Sequence, residues 1–137
     1  MLFRSLIILP LFWKTVHKYV VPRHVVGPLA RTPLITIGLK PGETVEIKTP
    51  KEIAETLNNK GCNRGLRYDR GLKQFCGARF QVRDRLDRMI IESTGQMAEL
   101  EGTVTLEGSC CTCYMTAFGG CPRQDLVYWR EAWIKRV

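Results

Sequence analysis

A mainly β, antiparallel fold is predicted by three observations: β-branched segments in which apolar and polar residues alternate, turn sequences that separate those segments, and a single stretch with a complete helix start signal. At 137 residues the chain suits one domain able to bury its own core. Its 45% hydrophobic and 25% charged residues are the balance of a globular protein rather than a disordered one.

The elements follow in order. LITIGL, starting at Leu34, alternates and is β-branched. TVEIKT alternates again with Val45 and Ile47 on one face, and KPGE between them, with Pro41 and Gly42 at its centre, predicts a hairpin turn. Thr49 then reads as an N-cap, Pro50 as the first helical position and Glu52 as the other half of a capping box. The short helix they start has Ile53, Ala54 and Leu57 on one side and Gly61 as its stop.

CNRGLRYDRGLKQFCG, residues 62–77, reads as a loop with one short helical turn. ARFQVRDRL resumes the alternation with Phe80 and Val82 inward, and RMII continues it. A turn at STGQ, the segment MAEL, a second turn at Glu101 and Gly102, and TVTL complete an antiparallel meander. In the closing segment Leu126, Trp129 and Trp133 recur at helical spacing, with Asp125 placed to cap a helix; a short strand is the other reading. The order hairpin, helix, long loop, meander predicts a small SH3-like antiparallel barrel with one short inserted helix and a C-terminal helix or strand, spanning residues 33–137.

Residues 1–32 differ from the rest, with five basic and no acidic side chains. MLFRSLIILPLFWK begins as a secretory leader would, but its apolar run is broken by Pro10, is shorter than the about 20 residues of a membrane span, and is followed by no clear small-residue cleavage site. The segment is therefore expected to be an extended N-terminal arm that contacts a membrane surface or a partner protein. Pro22, Gly27, Pro28 and Pro33 form its connector, and the protein is expected to be cytoplasmic and membrane-peripheral.

The formal charge is +8, a field that favours anionic partners. Residues 60–90 carry nine basic against three acidic side chains. Most are arginines: Arg64, Arg67, Arg70, Arg79, Arg83, Arg85 and Arg88. Their planar guanidinium groups suit bidentate contacts to phosphate, sulfate or carboxylate, the alternative being a solvated face. Glu131 is a candidate partner for one of them.

Four of the six cysteines, Cys110, Cys111, Cys113 and Cys121, fall within twelve residues; Cys62 and Cys76 precede them. In an extended segment Cys111 and Cys113 point the same way, and Cys121 returns on the loop after Gly119 and Gly120. With Cys76 in a turn beside Gly77, these supply four thiolates for zinc, whose dication they offset, while Arg79 and Arg123 balance the residual negative charge. Other soft-ligand centres, including an iron–sulfur cluster, use the same donors. Free core thiols and a disulfide framework are the competing readings. Cys62 is a reserve ligand.

A cysteine nucleophile needs a base, and the two histidines, His17 and His24, both lie in the arm. The chain contains no Walker loop, GxGxxG, GxSxG or HExxH sequence, which excludes the familiar nucleotide, hydrolase and metalloprotease signatures. Tyr128 and Trp129 could stack on bases or sugars, but the helical spacing of Trp129 and Trp133 favours core packing.

GLKPGETVEIKTPKEIAETL, NRGLRYDRGLKQFCG, RFQVRDRLDRMIIESTGQM, LEGSCC, CPR and YWREAW together resemble an uncharacterised family of short bacterial proteins often found near polysaccharide-biosynthesis genes. The resemblance runs from about Gly38 to Val137 and leaves the arm out. It implies an SH3-like entry for the first segment and marks Cys76, Cys111 and Cys121 as the family-type cysteines, with Asp125 or Cys113 completing a metal site. It carries no activity. The expected function is a non-catalytic, metal-stabilised accessory module that docks an anionic or protein partner; nucleic-acid binding and thiol redox chemistry at Cys111 and Cys113 are the alternatives.

Overall fold

The computed structural model describes residues 25–110 and 123–137. Its strands are β1 (Thr44–Ile47), β2 (Cys62–Asn63), β3 (Leu66–Arg67), β4 (Arg79–Ile90), β5 (Met97–Cys110), β6 (Leu126–Arg130) and β7 (Ile134–Arg136). The helix α1 spans Pro50–Ala54, and 3-10 helices span Arg70–Phe75 and Glu131–Trp133. The fold is mainly β. Five strands form an open antiparallel sheet in the order β6-β5-β4-β1-β7, while β2 and β3 form a separate two-stranded hairpin.

Val45 and Ile47 face inward from β1, as their alternation implies, and meet Val82, Val104, Leu106 and Ile134 in one core. Aromatic rings fill its centre edge to face: Tyr68 lies 5.2 Å from Trp133, Trp133 lies 6.4 Å from Trp129, and Phe75 lies 6.0 Å from Trp129 and 5.7 Å from Phe80. Perpendicular contacts of this kind place the positive ring edge on the negative face of its neighbour.

Thr49 caps α1 in a reciprocal capping box with Glu52, and Pro50 occupies the first turn. The helix is shorter than its signals imply. It ends at Ala54, the Thr56 hydroxyl donates to the Ile53 carbonyl, and Gly61 lies beyond it in a turn held by the Asn58 side chain. Ile53 and Leu57 are nonetheless fully buried.

Four expectations are corrected. Leu34–Leu39 does not pair with β1, because β4 and β7 occupy both of its edges. The segment runs extended without a ladder, half-burying Ile35 and Ile37 and burying Leu39. Residues 62–67 are a tight hairpin rather than loop. Its two-residue turn, Arg64 and Gly65, has positive φ at both positions, the backbone that matches the twist of flanking strands. The turn expected at Glu101 and Gly102 is a bulge within one continuous strand, seen as a register shift between Leu86↔Thr103 and Arg88↔Glu99. Gly102 takes φ 70°, and a Cβ there would press on Leu34 and the Ile35 carbonyl. Finally, of the two readings of the C-terminal segment the helix is overturned and the strand holds: it is strand, 3-10 turn, strand, and Asp125 caps no helix.

Residues 25–39 form a strap across the domain. The amides of Gly27 and Leu29 donate to the carbonyls of Asn58 and Leu57, the Thr32 hydroxyl accepts from the Arg64 amide, and the Pro33 carbonyl accepts from the Asn63 side chain. Gly27 is required for this approach, since a Cβ would collide with the carbonyl oxygens of Ala54 and Leu57. Among the described residues no helix is long and apolar enough to cross a membrane.

Candidate functional site

The central arginines are spread over three elements, and they do different work. On β4, alternate residues Arg79, Gln81 and Arg83 face outward while Val82 faces the core, as a period of two requires. The Arg79 and Arg83 side chains are 64% and 49% exposed. Across the register Glu46 of β1 lies between Arg79 and Lys135 of β7, at 3.4 Å and 3.0 Å. The Lys135 ammonium, and after it Arg79, hold the Glu46 carboxyl below its ordinary value, and Glu46 in turn raises Lys135. Arg88 is exposed farther along β4, Arg64 and Arg67 are exposed on the β2–β3 hairpin, and Arg70 is half-buried at the start of its 3-10 helix.

Arg85 is withdrawn from this surface set. Past the irregularity between Val82 and Asp84 its guanidinium turns to the fully buried Glu131, with Nη1 donating to Oε1 at 2.8 Å and to the Leu39 carbonyl at 2.9 Å. The second Glu131 oxygen accepts from the Ile37 amide at 2.7 Å. The expected pairing of Glu131 with a central arginine is present, and its role is to fasten the strap to the sheet.

Sequence reasoning missed Arg130. It is 4% exposed and donates to the carbonyls of Asn63, Arg64 and Glu101 and to the Thr103 hydroxyl. One side chain thereby ties the β2–β3 hairpin to the bulge of β5. Burial, with the charge of Arg64 nearby, lowers its pKa from the ordinary arginine value. The available signal was Trp129-Arg130-Glu131-Ala132-Trp133, two charged residues enclosed by two core tryptophans.

Trp129 is fully buried, and its Nε1 donates to the Ser109 hydroxyl at 3.0 Å, so it cannot stack on a ligand. Tyr128 is half-buried and borders a cleft of about 740 Å³ among the described residues, with Arg83, Asp84, Arg123 and Asp125 at its rim. Cation and carboxylate are paired there: Arg83 lies 3.7 Å from Asp84, and Arg123 lies 3.4 Å from Asp125.

Of the expected metal ligands, Cys111, Cys113 and Cys121 lie outside the described residues. Cys76 is half-buried against the core, and its Sγ shares a 3.2 Å hydrogen bond with the Tyr68 hydroxyl. Burial, and then that thiol, push the Tyr68 phenol above its ordinary value. Phe75 precedes Cys76 and packs on Trp129, while Ser109, which binds Trp129, precedes Cys110. The Cys76 turn and the end of β5 therefore meet at the same aromatic cluster. Asp125 is exposed beside Arg123, and Cys62 sits opposite Arg67 in the hairpin. Among the described residues no three His, Cys, Asp or Glu side chains gather as a metal-holding group.

No protein-family model, curated protein sequence or solved structure matches the chain.

Proposed function

We propose that the protein is a non-catalytic binding module, an SH3-like barrel stabilised by a metal ion, which docks an anionic or protein partner through the arginine-bearing outer face of β4. The observation that carries this reading is the row of outward guanidinium groups, Arg79 and Arg83 on alternate residues and Arg88 beyond them. Glu46 is shared between Arg79 and Lys135, and Asp84 pairs with Arg83, so these three cations outnumber their two carboxylates. Arginines held on a rigid strand suit carboxylate, sulfate and phosphate groups.

Connectivity supports the barrel. The edge strands β6 and β7 are joined by the three residues Glu131–Trp133 alone, a rise of about 6 Å for a 3-10 helix. In a flat five-stranded sheet the edges lie about 19 Å apart. A rolled sheet reconciles the two lengths. The metal part rests on Cys76 lying at the aromatic cluster from which the Cys110-to-Cys121 segment departs, a placement suited to zinc with Cys111, Cys121 and either Cys113 or Asp125. Nucleic acid is the second reading, favoured by Tyr128 lying beside Arg83 and Arg123 in one cleft.

Two measurements test the proposal. Elemental mass spectrometry of reduced protein should find about one zinc per chain, lost with the fold in Cys76→Ser; a metal-free wild type retires the metal-stabilised part. Titration with a polyglutamate peptide, a sulfated polysaccharide and a single-stranded oligonucleotide should show binding abolished by Arg79→Gln, Arg83→Gln and Arg88→Gln combined. Preference for the oligonucleotide, with affinity falling steeply as salt rises, selects the second reading. Binding unaffected by the triple change refutes the β4 face.

A further inference from the structure

The distal half of the β4–β5 hairpin stands apart from the sheet. β1 pairs with β4 only through Arg79–Gln81, and β6 pairs with β5 only at Thr103–Thr105 and at Cys110. Among the described residues, beyond Leu86 the two strands pair solely with each other, through Arg88↔Glu99, Met89↔Ala98 and Ile90↔Met97. A two-stranded ribbon is marginal in water unless its apolar face is covered. Here Ile90 and Met97 form a directly opposed pair, yet they are 59% and 61% exposed, and neighbouring Ile91 is 38% exposed. The ribbon also carries its own charge: from residue 86 to 101 there are four acidic side chains, Asp87, Glu92, Glu99 and Glu101, against the single base Arg88.

That charge discriminates among occupants. An anionic bilayer and a nucleic acid are repelled by it, and a tip-to-tip pair of ribbons would set like charges together. An apolar, basic segment is complementary. Residues 1–24 of this chain have that composition: Leu2, Phe3, Ile7, Ile8, Leu11 and Trp13 among the apolar residues, Arg4, Lys14, Lys18 and Arg23 as bases, and no acid. They reach up to about 80 Å when extended. Their C-terminal continuation is the strap, and its Leu34 and Thr36 already lie against Gly102, next to the base of the ribbon.

We propose that residues 1–24 dock in cis on the exposed Ile90 and Met97 face of the β4–β5 ribbon, apolar residues covering the pair and basic residues meeting the surrounding carboxylates. The arm is then an intramolecular cover for the ribbon, independent of the metal and of Arg79 and Arg83, and of the β4 row it borders only Arg88.

The test uses the full chain with the photo-crosslinker p-benzoylphenylalanine at Met97, an exposed position whose replacement leaves the core intact, as the fluorescence of buried Trp129 and Trp133 will report. Irradiation of monomer in dilute solution should give an intramolecular crosslink to a peptide within residues 1–24. Its yield should fall at least ~3-fold on adding 0.5 M salt, roughly, or in an Arg4→Glu, Lys14→Glu variant. Crosslinks to any other part of the chain overturn the proposal, as do crosslinks between chains, which indicate a second copy. Capture of lipid from phosphatidylglycerol vesicles in place of the arm overturns it as well.

Discussion

Replacing Glu131 by glutamine should remove a disproportionate share of the stability of this domain. The carboxylate is fully buried and accepts from Arg85 Nη1 at 2.8 Å and from the Ile37 amide at 2.7 Å. Glutamine keeps the shape, but only one of its two terminal atoms is an acceptor, so its amide group must face one of these donors. A hydrogen bond to a charged acceptor contributes about 1.5–3 kcal/mol, and leaving a buried donor unmatched costs about 1–3 kcal/mol. The Arg85 side chain is 33% exposed and recovers part of its hydration, which places the net loss at about 2–4 kcal/mol. Against a typical domain stability of about 5–15 kcal/mol this is a large fraction.

The assay is urea unfolding followed by tryptophan fluorescence, since Trp129 and Trp133 are both buried in the native state. A midpoint shift at unchanged slope gives the loss directly. The pair also predicts coupling. Arg85→Met alone strands the Glu131 charge in the interior, so Arg85→Met with Glu131→Gln should cost less than the sum of the single changes. A Glu131→Gln loss below about 1 kcal/mol, or strict additivity in the cycle, would refute the argument that this ion pair fastens the strap to the sheet.

Gly27→Ala should release the strap, because the new Cβ collides with the backbone carbonyls of Ala54 and Leu57. Cleavage by trypsin after Arg31 should accelerate about tenfold or more, the factor for a loss of about 1.4 kcal/mol in local stability; an unchanged rate means that Gly27 is not a point of attachment. The exposed ladder Arg79–Glu46–Lys135 supplies a pH test. With the Glu46 pKa lowered in the folded state, its contribution is present above the unfolded value and disappears as pH falls through the folded one. A carboxyl NMR titration should place Glu46 below the ordinary glutamate range and move it back upward in Lys135→Met, and no movement would exclude Lys135 as the main cause.

Much of the local structure is legible in the sequence, because it arises from interactions between near neighbours. Thr49, Pro50 and Glu52 start a helix through hydrogen bonds that span three residues, and the alternation of Val45 with Ile47 and of Phe80 with Val82 follows from the pleat of any strand. The outward setting of Arg79 and Arg83 is another consequence of that period of two, which the irregularity before Asp84 breaks at Arg85. Antiparallel, mainly β structure could therefore be inferred from the residues alone.

Tertiary structure decided the partners. LITIGL alternates like a strand, yet both edges of β1 are taken by β4 and β7, so its Ile37 amide bonds to a carboxylate 94 positions away. Glu101 and Gly102 resemble a turn, but Arg130 binds the Glu101 carbonyl and the Thr103 hydroxyl, and the strap packs against Gly102, so the strand passes through as a bulge. Arg85 reads as surface charge and Arg130 carries no reading at all, yet both are structural, since each finds acceptors that only the fold brings within reach. The periodicity of a sequence specifies which way a side chain points, whereas the identity of its partner depends on contacts between distant residues that no local pattern encodes.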